Sequence, residues 1–132
     1  VLADALALFD GERLSDHVQR PTAVTTALAT GPSPEDAARR MFASLDPETK
    51  EWALARVTPH PVAAMAAPVK LDRFWDMDWD ASVIWCRQSP NPPRAHQERA
   101  AARLKARGHE LDTGHYTMLT EPEALARLIM EG

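Results

Sequence analysis

The sequence predicts an α/β fold built on a parallel sheet, and three observations carry that expectation. Residues 79–132 read strand, helix, strand, helix; residues 1–9 are an apolar run closed by a turn; the stretch between them is helical and broken by prolines. Strands that alternate with helices are joined by right-handed crossovers and therefore lie parallel. The composition permits a packed core. Of 132 residues, 45% are hydrophobic and 26% charged, the profile of one globular domain and not of a disordered tail.

Residues 1–9 (VLADALALF) are apolar apart from Asp4, and Asp10, Gly11 and Glu12 supply the turn. Length and flanks favour a buried strand, while the leucines and alanines would equally suit a helix. The chain opens at Val1 directly in this run, as a segment continuous with something larger would. Residues 13–32 carry a weak pattern, read as loop with one short helix. Ser33, Pro34, Glu35 and Asp36 then start a helix with a capping hydroxyl, a proline in the first turn and acids at the positive end of the dipole. It should reach about residue 43. Asp46, Pro47 and Glu48 repeat the signal, and Trp52, Leu54, Ala55 and Val57 give the second helix an apolar side. Thr58, Pro59, His60 and Pro61 break it, and a short alanine-rich helix follows at residues 62–66. No strand signal of comparable strength occurs between residues 16 and 68.

Residues 81–86 (ASVIWC) form a short, β-branched strand that the following SPNPP cannot continue. Residues 94–107 are helical, with Ala95, Arg99, Ala102 and Leu104 as inward positions and Gly108 as the stop. A strand at 109–112 and a loop at 113–119 lead to Thr120 and Glu123, a capping box for a last helix over 121–130. Three strands are too few, because a parallel sheet is buried on both faces. A further segment is expected to complete it.

Several classes are disfavoured. Fifteen basic against 19 acidic residues leave a formal charge of -4, and binding nucleic acid calls for clustered positive charge. No apolar run approaches the roughly 18 residues that cross a bilayer. Cys86 is the sole cysteine, so no internal disulfide or cysteine-built zinc site is expected, and a reducing cytoplasm fits. Neither metal spacing nor a glycine-rich phosphate loop is present, and no cofactor is expected.

Chemistry is best placed in LDTGHYTMLTEP. His115 follows Gly114 just after a short strand and precedes the final helix, and ligands of open parallel sheets collect beyond the carboxyl ends of the strands. Histidine is suited to general-base work near neutral pH; the alternative is a loop residue that packs locally. Asp4 is a carboxylate inside an apolar run, which must be hydrogen-bonded or functional. Trp52, Met65, Trp75 and Trp79 are candidates for an apolar substrate pocket, with ordinary packing as the alternative.

The segment GHYTMLTEPEALARLI resembles the close of α/β-hydrolases, where a Gly-His pair, an apolar triplet, a proline and the last helix carry the catalytic histidine. VLADALALFDGERLSDHV resembles the sixth-strand segment of the methylesterase and hydroxynitrile lyase branch, and ALARVTPHPVAAMAAPVKL resembles that branch's cap. ASVIWCRQSPNPPRAHQERAAARL takes the place of the seventh strand and its helix, including Gln97.

The resemblance implies the C-terminal part of an α/β-hydrolase. Residues 1–15 would be the sixth-strand segment, 16–78 a helical cap, and 79–132 the closing strand-helix-strand-helix of the core. No Gly-x-Ser-x-Gly elbow occurs around Ser15, Ser33, Ser44, Ser82 or Ser89. The nucleophile and oxyanion hole are then expected on an N-terminal hydrolase half, as partner chain or missing segment. The resembled branch places its acid near Ser89, where nothing from 87 to 93 is acidic. Haloalkane dehalogenase-like members place it at the end of the sixth strand, which Asp4 matches; the alternative is an aspartate capping nearby amides. The implied activity is cleavage or transfer of an ester, thioester or lactone acyl group from a small molecule, with His115 as base and Asp4 as acid. The other expectation is an inactive hydrolase-like binding module.

Overall fold

The computed structural model describes residues 1–17 and 28–131. In chain order it contains β1 (Leu2–Ala3), a 3-10 turn (Leu14–Asp16), β2 (Ala29–Thr30), α1 (Pro34–Asp36) and a π-helical turn (Ala37–Met41). Then come α2 (Pro47–Leu54), β3 (His60–Pro61), α3 (Val62–Ala66) and a 3-10 turn (Phe74–Asp76). The closing elements are β4 (Ser82–Cys86), α4 (Arg94–Leu104), β5 (Arg107–Leu111), α5 (Thr117–Thr120) and α6 (Pro122–Glu131). The chain is thus α/β, with a parallel sheet in the order β1-β4-β5.

The central strand explains itself. Val83 and Ile84 are fully buried and Cys86 nearly so, the near-continuous apolar run of a parallel strand covered on both faces. α4 crosses from β4 to β5 and buries Gln97 and Ala100. Its inward positions are therefore not the set read from sequence: Ala95 and Ala102 are exposed, while Arg99 and Leu104 are half-buried. Nor does Gly108 end this helix. Lys105 ends it in the left-handed region, at φ 51°, and Gly108 lies inside β5. There a Cβ would come within 2.7 Å of the Trp85 ring. That ring cannot easily retreat, because Arg94 stacks on it at 4.1 Å and its indole N–H donates to Glu110 at 2.8 Å.

The apolar run at residues 1–9 is a strand only at Leu2–Ala3. Asp4 adopts φ 44°, which turns the chain out of the ladder and onto α4. The imidazole of His96 bonds the Ala7 carbonyl at 2.9 Å, the Arg99 guanidinium stacks on Phe9 at 4.1 Å, and Arg99 holds Glu12 through two bonds of 2.6 and 2.9 Å.

The helical layer has its own core of Ala37, Phe42, Leu45 and Ala53. The single helix expected from residue 34 to 43 is α1 followed by the π turn, closed by the Phe42 N–H on the Ala37 carbonyl at 3.0 Å. Regular α geometry would set residues 37 and 42 about 140° apart; the extra residue of a π turn brings both to the core side. On α2 and in the turn that follows it, Ala53, Leu54 and Val57 turn inward, whereas Trp52 and Ala55 are exposed. β2 and β3 form an antiparallel pair, Ala29 opposite Pro61 and Thr30 opposite His60, which the sequence did not signal because each is only two residues long and β3 contains a proline. Of residues 13–32, where one short helix was expected, 18–27 lie outside the described residues, and the remainder holds the 3-10 turn Leu14–Asp16 and β2. Tyr116 and Leu119 pack against the helical core, so the segment after β5 joins the two layers.

Candidate active site

Asp4 sits where β1 ends, with its amide donating to the Ile84 carbonyl at 2.6 Å and its side chain fully buried. Three donors surround the carboxylate: the Cys86 amide at 3.3 Å and Gln97 Nε2 at 2.9 Å reach Oδ1, and His115 Nδ1 lies 2.7 Å from Oδ2. Burial works against ionisation here. The hydrogen bonds from His115, Gln97 and the Cys86 amide outweigh it and hold the carboxyl below its ordinary value. An ionised carboxylate only accepts, so His115 Nδ1 carries the proton and the Nε2 lone pair is left for chemistry.

The local folding of the histidine loop follows from its neighbours. Gly114 is pressed against the helical layer, where a Cβ would meet the Ser44 hydroxyl at 3.1 Å. Tyr116 packs its ring on Phe42 at 4.8 Å and stands edge-on to His115 at 5.0 Å. The expected loop over 113–119 contains the start of α5. Thr120 does not act as the expected helix cap; its hydroxyl is bonded to that of Thr113 at 2.6 Å, which ties the two ends of the histidine segment together.

Half-exposed, the imidazole opens onto a cavity of about 860 Å³. Asp4, Ser89, Met41, Tyr116 and Met118 line it alongside His115, a mostly apolar enclosure with a few convergent polar groups, as small-molecule sites have. Among the described residues no hydroxyl or thiol is bonded to His115 Nε2. Ser89 donates to the Asn91 carbonyl at 2.9 Å. Cys86 is no nucleophile: burial, and secondarily the charge of Asp4, push its thiol up to about 11. Asp112 points away from the dyad, paired with Arg87 at 2.6 Å.

The four residues expected to form the substrate pocket lie elsewhere. Trp52 is 50% exposed with Arg56 stacked on it at 4.4 Å. Met65 is half-buried on α3, outside the cavity. Trp75 is buried against Phe9 and Phe74, at 4.3 and 5.1 Å, and Trp79 donates its indole N–H to the Phe74 carbonyl at 2.7 Å. Trp75 and Trp79 join Phe9 and Phe74 in a separate aromatic cluster, the ordinary packing that large side chains usually satisfy. The lining comes chiefly from residues 3–6 at the end of β1, the π turn, the proline-rich segment after β4 and the residues flanking His115. All but the π turn carried a signal, their place at the carboxyl ends of parallel strands. Among the described residues no cluster of His, Cys, Asp or Glu is placed to hold a metal ion, and no helix is long and apolar enough to cross a membrane.

The three-stranded parallel sheet with its histidine loop and short helices matches part of an α/β-hydrolase fold. That architecture is shared with a solved extracellular α/β-hydrolase from a Paenibacillus species, described as having structural and functional homology to Tobacco Salicylic Acid Binding Protein 2; the TM-score is 0.79 at 15% identity. The match covers 98% of this chain and 59% of that one. No family model and no curated protein sequence matches the chain.

Proposed function

We propose that this chain is the C-terminal portion of a serine hydrolase of the methylesterase and hydroxynitrile-lyase-like branch, cleaving or transferring the acyl group of a small ester, thioester or lactone. The observation that carries the reading is the 2.7 Å contact between buried Asp4 and His115 at the mouth of the cavity. The nucleophilic serine and the oxyanion hole are contributed by an N-terminal hydrolase segment or partner. The serine attacks the carbonyl as His115 Nε2 takes its proton, and Asp4 stabilises the imidazolium so formed. The same Nε2 then protonates the leaving group, and a water molecule activated by His115 releases the acid. The residues from 16 to 78 serve as a cap over the substrate.

Fluorophosphonate labelling of the complete protein tests this. A serine on the N-terminal segment should be labelled, and His115→Ala should abolish the labelling. Undiminished labelling in that variant would remove His115 from the mechanism, and no labelled serine at all would favour a binding module.

A further inference from the structure

The cavity wall facing the histidine loop carries two guanidinium groups that the proton-transfer chemistry does not use. Asp36, Arg39, Arg40 and Met41 all line it. Helical spacing puts residues 36, 39 and 40 on one face, and the π turn adds residue 41. The cavity-side placement of Arg40 is therefore dictated by the backbone.

Charge pairing singles out Arg40. Asp4 is bonded to His115, Arg39 reaches Asp36 at 2.7 Å, and His17 lies 3.3 Å from Glu12. Among the described residues Arg40 has no such partner. Of the two guanidinium groups among the described lining residues, it is the one without a carboxylate partner. A planar guanidinium matches a carboxylate through two parallel N–H···O bonds. One free guanidinium suits a singly charged carboxylate better than a phosphate dianion, because Arg39 is engaged by Asp36.

We infer that Arg40 selects substrates bearing a carboxylate, in the acyl or the leaving portion, in addition to the bond that is cleaved. This rests on the acyl-transfer reading for the reaction but not for the anion site. Two measurements separate them. The first is calorimetric binding of benzoate and of neutral benzamide to the full chain. Benzoate should bind about tenfold more tightly, and Arg40→Met should remove that preference while Arg40→Lys keeps part of it; near-ultraviolet circular dichroism checks that the variants fold. The second compares para-nitrophenyl hemiglutarate with para-nitrophenyl valerate on the complete hydrolase. The ratio of their kcat/KM values should favour the hemiglutarate and fall about tenfold in Arg40→Met. Equal benzoate affinity in Arg40→Met, or a preference for valerate, overturns the inference. Arg40-dependent benzoate binding with neither ester cleaved upholds the anion site and removes the acyl-transfer reading.

Discussion

Asp4 meets two demands at once, a left-handed backbone and a buried negative charge. At φ 44° most side chains are strained, and aspartate and asparagine are among the few non-glycine residues that visit this region readily. Asparagine therefore suits the backbone but not the chemistry. In Asp4→Asn an amide N–H₂ can face His115 and turn Nδ1 into an acceptor, which places the ring proton on Nε2. The variant is expected to fold with a modestly lower melting temperature at neutral pH while kcat falls roughly ten-thousandfold in the complete enzyme. Comparing thermal denaturation with ester turnover checks this, and equal loss of stability and activity would point to simple unfolding. The Asp4–His115 contact was foreshadowed by a lone carboxylate in an apolar run and a Gly-His pair after a strand. The positions of Trp52 and Trp79 were not, since large aromatics satisfy many environments and sequence spacing does not choose among them.

At the scale of elements, local signals were legible where a backbone group needs a particular partner. Ser33 accepts from the Asp36 amide at 3.1 Å and Asp46 from the Thr49 amide at 3.0 Å, both as their Ser-Pro and Asp-Pro spacing implied. Ser33→Ala should cost about 1 kcal/mol in denaturant titration. The same variant should loosen the π turn that presents Arg40, seen as faster amide exchange over residues 37–42. What the sequence concealed were features that depend on tertiary neighbours. The π turn exists because Ala37 and Phe42 share one core, and Gly108 belongs to a strand because the Trp85 ring lies over it. β1 stops after two residues because Asp4 is drawn to three donors on other elements. None of these causes lies within a local window.

Across the whole molecule, the segment after β1 is fastened to α4 chiefly by Glu12 and Arg99, and that fastening is sensitive to acid. The Arg99 hydrogen bonds, helped by the Phe9 amide, lower the Glu12 carboxyl from 4.5 to about 2. A group depressed on folding contributes stability that is complete above its unfolded value and is lost as pH falls through its folded one. Melting temperature should therefore hold near neutrality and decline from about pH 4.5 towards about pH 2, with Asp4 adding to the same limb. Glu12→Gln should lower stability at neutral pH and flatten that decline; an unchanged acid limb would remove Glu12 as its source. The parallel order β1-β4-β5 also sets a timetable. β4, α4 and β5 are neighbours along the chain, whereas the bond from Asp4 to His115 closes a span of 111 residues. Loop-closure entropy makes such distant contacts late ones in folding. The imidazole is consequently oriented only when the first strand has docked, so under the proposed acyl-transfer function partly folded molecules would be chemically silent and turnover would count finished ones alone.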